Sequence, residues 1–339
     1  MEQTYDVLVA GGGAAGLGAA VALARARRSV LVVDSGQPRN APAGHVHNYL
    51  GLDGTPPADL LAAGRAEVHR YGGQVVTGRV AAATRDGAGF AVTLDGGAGP
   101  AERTVWARRL LVTTGLVDEL PDVPGLAQRW GRDVLHCPYC HGWEVRDRRI
   151  GVLATGPVGV HHAHLWRQWS PHVLLVLHGM RMPEGEEAER LAARGIAVVA
   201  GPVTGLEVAG DALTGVRLAS GERLMLDALV VATRMTARTG LLTSLGLEPV
   251  EVEFGGQVIG SQVPADATGA TAASGVWVAG NVADVRAQVI TAAAAGLNAA
   301  AAINADLIDE DTRAAVATLR RGAAADQGQA DRLSTVAAT

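Results

Sequence analysis

The sequence predicts an α/β fold organised around a Rossmann-like dinucleotide-binding unit, and three observations carry that expectation. An apolar strand enters the run Gly11-Gly12-Gly13-Ala14-Ala15-Gly16, followed by a helix and a second strand that ends in an acid. The strand-then-glycine theme returns at Leu110–Gly115 and Gly275–Asn281. Both cysteines of the 339-residue chain stand in one Cys-x-x-Cys near its middle, Cys137 and Cys140. This length allows two domains with cores of their own.

Taken in order, Tyr5-Asp6-Val7-Leu8-Val9-Ala10 is largely apolar, as a parallel strand covered on both faces must be. An Ala/Leu helix follows to about Arg27, and Val30–Asp34 is the next strand, placing Asp34 23 positions after Gly11. This is G-x-G-x-x-G in its full βαβ context. Gly11, Gly13 and Gly16 let the backbone approach a pyrophosphate at the helix N-terminus, where Ala14 and Ala15 begin the first turn. Asp34 would accept hydrogen bonds from a ribose. A tight strand–helix turn without a ligand is the plain alternative. Gly36–Asn40 and Gly44–Gly51 form a loop rich in turn formers and polar groups. Asp59–Arg70 reads as a helix, Val75–Leu94 as a hairpin-like β region, and Leu110–Val112 as a strand closing on Thr113-Thr114-Gly115. Near the other end an Ala-rich helix is expected from about Ala287 to Ile308, and beyond Arg320 a small, polar, mobile tail.

The central motif Leu135-His136-Cys137-Pro138-Tyr139-Cys140-His141-Gly142 places a histidine on each outer side of the dithiol. Two thiols at this spacing close and reopen a disulfide by exchange, and one of them usually has a depressed pKa. A structural zinc needs about four ligands, and no second cysteine pair exists. Cys137-Pro138-Tyr139-Cys140-His141 also fits C-x-x-C-H haem attachment, but no secretory signal precedes it. A purely structural disulfide closing so small a loop gains little. A redox-active dithiol is the reading these spacings favour, with no metal.

Composition excludes other classes. A net charge of −5 leaves no basic footprint for nucleic acid. No run approaches the roughly 18 apolar residues of a membrane span. The chain enters a strand almost at once, so no signal peptide is expected and a cytoplasmic enzyme is. Lysine is absent, so arginine supplies the fixed positive charge.

In order and spacing, the Gly11–Gly16 fingerprint, the Cys137/Cys140 pair, Thr113-Thr114-Gly115, and Ala279-Gly280-Asn281 with Gln288 resemble the low-molecular-weight thioredoxin reductase family. The likeness runs from about Tyr5 to Ile308. It implies FAD as cofactor, a homodimer, and two Rossmann-like dinucleotide-binding domains, the second inserted into the first. The FAD-binding domain would then occupy residues 1–117 and 244–320, the inserted domain 118–243, and the tail 321–339. By that likeness Cys140 faces the flavin and forms the adduct with it, while Cys137 exchanges with substrate. Gln288, Gly280 and Asn281 would approach the isoalloxazine and ribityl chain, with Ser35, Asn48, Thr114, Gly115 and Val289 among the further cofactor contacts. Asn281 stands where those reductases usually have aspartate.

The second nucleotide site departs from that pattern. Arg149–Ala154 is a strand leading to Thr155-Gly156-Pro157-Val158-Gly159 and a helix, but Ala154 holds the position of the first glycine. The next strand, His172–Leu177, ends in His178-Gly179-Met180-Arg181, with neither the acid that binds an NAD ribose nor the basic cluster that binds an NADP phosphate. The site reads as a relic. His161, His162 and His164 on its helix lack a carboxylate or thiol to complete a metal site and are expected to cover the crevice.

A flavin beside a dithiol runs electrons either way. A dead nicotinamide site favours entry from substrate, and the chain then resembles the gliotoxin, holomycin and romidepsin type of dithiol oxidase. These close an intramolecular disulfide in a small-molecule dithiol and pass the electrons to O2 as peroxide. His141, standing where thioredoxin reductases have aspartate, is a candidate base, and His136 the other. Either could instead only pack the loop. A protein-disulfide reductase fed by NADPH or ferredoxin, and a flavin-bearing redox sensor, remain the competing readings.

Overall fold

The computed structural model describes residues 3–96 and 103–336. Five strands of the first sheet run parallel in the spatial order Gln74–Asp86, Val30–Asp34, Thr4–Ala10, Arg103–Val112, Val276–Val278. The strand Gly89–Gly96 joins antiparallel to both Gln74–Asp86 and Arg103–Val112, which is the expected hairpin region. Alternation explains the continuous apolar run of the first strand. Val7 and Val9 pack under the helix Ala14–Arg25 and the C-terminal helix, while Leu8 and Ala10 face Phe90, Val92 and Leu110. Each such large side chain contributes about 1.5–3 kcal/mol by leaving water.

The second unit is inserted between strands of the first, so the fold is α/β with two Rossmann-like domains, as expected. Its parallel sheet has the order Ala197–Ala200, Val173–Leu177, Ile150–Ala154, Ala228–Val231, Val134–Leu135. Helices Val158–Trp166 and Gly185–Ala193 cover one face through Ala163, Trp166 and Leu191. The antiparallel strands Val203–Ala209, Ala212–Leu218 and Arg223–Met225 cover the other through Val203, Leu213, Val216 and Leu218. The crossings between the units, Leu116–Glu119 and Arg234–Ala237, pair antiparallel, and the hairpin Val250–Phe254/Gln257–Gln262 extends them into a four-stranded sheet.

Several element ends differ from expectation: the helix expected from Asp59 begins at Pro57, the strand expected from Leu110 begins at Arg103, and both the first and the last helix end elsewhere. The first helix stops at Arg25, because Arg27 turns into the left-handed region (φ 65°) and closes the end with its N–H on the Ala24 carbonyl. The last helix runs Val289–Val336, so residues 321–336, expected as a mobile tail, are helical, and 337–339 lie outside the described residues. Between Ile308 and Val336 the two glycines Gly322 and Gly328 interrupt a run rich in alanine and other helix formers, with no proline to stop it. Ion pairs hold its middle: Arg108 and Arg109 on Glu310, Arg109 on Asp306, and Arg28 on Asp311. An 18-residue window within Val289–Gly322 reaches a mean hydropathy of 1.2, more apolar than the sequence reading allowed. Its residues Ala299, Ala300, Ile303 and Leu307 are buried in the first domain's core.

Candidate active site

The site begins at the C-terminal edge of the first parallel sheet, where ligands of open α/β sheets bind. Gly11 has φ +113°, and a side chain there would meet the Thr113 carbonyl oxygen at 2.5 Å. A side chain at Gly16 would strike the Gly11 carbonyl, so strand end and helix start touch directly. Gly12 donates its N–H to Asp34 Oδ1 at 3.0 Å, fixing the carboxylate at the end of its strand. Gly13 is the N-cap of the helix with no side-chain cap, and a Cβ there would meet nothing within 4 Å. The open helix N-terminus with an acid beside it is a cradle for a pyrophosphate and a ribose, so these residues fit a dinucleotide.

From this cradle one cavity of about 770 Å³ runs to the dithiol, lined among others by Gly13, Asp34, Thr114, Gly280, Gln288, Cys137 and Cys140. Cys137 is the N-cap of the short helix Pro138–His141, with proline at the first helical position. The two cysteines are unbridged and half-buried. They meet opposite fields. The Cys140 thiol donates to Cys137, whose pKa falls despite burial, helped by the N–H groups of Cys140 and Tyr139 and the charge of Arg39. Cys140 is raised far above the ordinary thiol value by that same donated hydrogen bond, by burial and by the neighbouring Cys137 charge. Cys137 is the more acidic thiol of the pair.

The flanking histidines differ. His136 Nδ1 lies 3.1 Å from the Val231 carbonyl oxygen, which only accepts, so Nδ1 carries the proton and Nε2 of the neutral ring is bare. Burial lowers its pKa, partly offset by that carbonyl and by Asp118. The His162 ring stands edge-on to it at 5.7 Å, and burial, with repulsion from His136 and His161, takes His162 down to about 3. The ring nitrogens of half-buried His141 are shielded from solvent and make no well-formed hydrogen bond among the described residues, and burial lowers its pKa against the pull of Glu144 and the Cys137 backbone.

An ion pair frames the dithiol from the other side. Arg39 grips Asp118 with two bonds, 2.6 and 2.7 Å, and reaches Asn281 Oδ1 at 3.2 Å. Thr233 donates to Asp118 at 2.9 Å, so both crossings between the domains meet at this carboxylate. The sequence reading passed over Arg39 and Asp118. Arg39 lies in a loop recognised only for its turn formers, and nothing in sequence couples it to residue 118.

Gly11, Gly13, Ala14, Ala15, Gly16, Asp34, Ser35, Thr114, Gly115, Gly280, Asn281, Gln288, Val289, His136, Cys137, Cys140 and His141 were the expected site residues. Except for Gly16, which sits behind Gly11, all of them line the cavity. Asn48 does not. It adopts φ 60°, and its Nδ2 donates to the Tyr139 carbonyl at 2.6 Å, so it clasps the dithiol turn from the loop side. Asn281 lines the cavity, yet its amide is committed to Asp284, Ala287 and Arg39. In the second unit the Ala154 methyl fills the space a side chain at Gly159 would need, and His178 Nδ1 accepts from Val203 N at 3.0 Å. That ring is built into the fold at the strand end where a nucleotide ribose would be read.

The family model described as pyridine nucleotide-disulphide oxidoreductase matches residues 5–296. The crystal structure of HlmI superposes with a TM-score of 0.86 at 45% identity, covering 94% of this chain and 97% of that one. Thioredoxin reductase sirT of Leptosphaeria maculans is 30% identical over 327 residues, 91% of this chain and 96% of its own length. Thioredoxin reductase tcpT of Claviceps purpurea is 35% identical over 264 residues, 73% of this chain and 79% of its own.

Proposed function

From the premise that the chain belongs to the pyridine nucleotide-disulphide oxidoreductase family, and so is an FAD-binding oxidoreductase, we propose that it is a dithiol oxidase of small-molecule biosynthesis. It closes an intramolecular disulfide in a natural-product dithiol, with O2 as the final acceptor and H2O2 as co-product. The observation that carries this is the contrast between the two nucleotide units. The first opens into the cavity that holds Cys137 and Cys140, whereas the second has Ala154 against Gly159 and His178 tied to the backbone. Electrons then enter through the dithiol. Tyr139 and Trp143, 56% and 66% exposed beside the cysteines, offer aromatic surface to a small organic substrate.

The chain's residues account for the exchange steps. One substrate thiolate attacks Cys137 of the Cys137–Cys140 disulfide, forming a mixed disulfide and releasing Cys140. The second substrate thiol then attacks the substrate sulfur and expels Cys137. The lowering of the Cys137 pKa by its neighbours makes it a better leaving group in that step than an ordinary thiol. The bare Nε2 of His136 and the ring of His141 stand at the cavity to take the two substrate protons. FAD, when bound, supplies the two-electron acceptor that restores the disulfide and hands the electrons to O2. The balance is R(SH)2 + O2 → RS2 + H2O2. The enzyme is expected in the cytoplasm as a homodimer.

Anaerobic addition of a small dithiol to the yellow protein tests the direction. Bleaching of the flavin band, absent in Cys137→Ser, is expected; a band that dithiol leaves untouched contradicts the reading. The alternative, an NADPH- or ferredoxin-fed protein-disulfide reductase, is favoured by the names of the two fungal relatives. It requires bleaching by NADPH or reduced ferredoxin.

A further inference from the structure

The hairpin of the first domain that follows the second crossing reaches over to the second domain. Its turn residues Gly255 and Gly256 have φ +58° and +75°, the two-residue left-handed turn that matches strand twist. The register pairs Phe254 with Gln257 across that turn, so the two side chains share one face of the hairpin tip.

That face lies on the start of the helix Val158–Trp166. The Gln257 carboxamide occupies the space a side chain at Gly156 would enter, and its Oε1 accepts from Val158 N at 3.4 Å. The Phe254 ring meets His161 edge-on at 5.1 Å and carries Arg286 on its face at 5.2 Å. The hairpin is anchored from behind, since Gly260 and Ser261 pair with Met235 and Thr236 of the crossing strand.

In a working dinucleotide unit the glycine turn and the helix N-terminus receive the pyrophosphate. Here a carboxamide oxygen accepts from that N-terminus. We propose that the second nucleotide site is filled from within the chain. Gln257 takes the pyrophosphate's place, Phe254 packs beside it, and the two are specificity-determining residues that exclude NADH and NADPH. An entering nucleotide would have to displace Gln257 and lift a hairpin fastened to the crossing strand. Repair of the fingerprint alone, by Ala154→Gly, is therefore expected not to restore binding.

The inference rests on a binding readout and so fails separately from the oxidase reading, which is tested by turnover. Titration of the flavin-loaded protein with NADPH and NADH, followed by calorimetry, is the experiment, with flavin absorbance reporting the fold. The wild type is expected to show no saturable binding, and the Gln257→Ala/Phe254→Ala double variant an association at least tenfold tighter. Saturable binding by the wild type, or a folded double variant no better than it, overturns the proposal. Should the double variant lose its flavin, Gln257→Ala alone is read by the same criterion.

Discussion

Cys137 and Cys140 are chemically alike in sequence and opposite in their surroundings. The thiol of one donates to the other, so a single proton separates a leaving group from a buried acid. Cys137→Ser is expected to lower dithiol turnover by at least about 1,000-fold, as loss of a covalent nucleophile does, while flavin binding stays intact. Retained turnover would remove Cys137 from the exchange. Burial also holds His136 below the ordinary imidazole range, so its neutral, base-competent form persists to lower pH. The acid limb of kcat/KM is expected below pH 6.5, the unperturbed imidazole value, and His136→Gln should abolish it. A limb that survives there assigns the proton elsewhere, with His141→Ala as the next variant. His162 adds a stability term of definite sign. Its pKa is about 3 in the fold and ordinary when unfolded, so the unfolded chain binds the extra proton between these values. Stability should fall by up to about 1.4 kcal/mol per pH unit as pH drops below about 6.5. In His162→Phe, urea unfolding between pH 7 and 4 should show a shallower decline. At this scale the sequence announced the cysteines and both flanking histidines by spacing. It could not distinguish the histidines, because their difference comes from the Val231 carbonyl, 95 positions away from His136.

Among the elements, those built from local chemistry were the most legible. The first strand, its glycine turn and helix follow from one fingerprint, and the cradle holds because Gly16 lies against the Gly11 carbonyl. Gly16→Val is expected to yield colourless protein, measured as the ratio of flavin to protein absorbance; a normal ratio would mean the cradle tolerates the side chain. The hairpin turn has an equally specific requirement. Gly256→Val, forcing a β-branched residue to positive φ, should cost about 1–2 kcal/mol in unfolding free energy. The long C-terminal helix was half legible. Its start was marked, but its attachment to the first domain depends on Arg108 and Arg109 of a distant strand gripping Asp306, Glu310 and Asp311. The contact Asn48 makes was hidden for a comparable reason. This residue lies in a loop of polar residues, and only the folded chain shows that it reaches the dithiol turn and not the cavity.

At the scale of the molecule, the two domains are joined where Arg39, Asp118, Thr233 and Asn281 meet, beside the dithiol they frame. Burial opposes the charge on Asp118, but the Arg39 bonds and charge and the Thr233 hydroxyl outweigh it and hold the carboxyl below its ordinary range. Its contribution is present above the unfolded carboxylate value, near pH 4, and is lost as pH falls through the lower folded value. Asp118→Asn should therefore destabilise by roughly 3 kcal/mol at pH 7, by leaving Arg39 without its partner, and by less below pH 4. An inserted second domain was legible only through resemblance, because no composition shift marks its borders. The closing of its nucleotide site by Gln257 was not legible at all, since a hundred residues separate that side chain from the turn it covers.

Oxygen consumption by the flavin-loaded protein, given a small dithiol and no nicotinamide, tests the oxidase assignment most directly. Rapid uptake with one peroxide and one cyclic disulfide per O2, abolished in Cys137→Ser, is the expected result. No uptake with dithiol, together with anaerobic bleaching of the flavin by NADPH, would contradict it and make the enzyme a reductase.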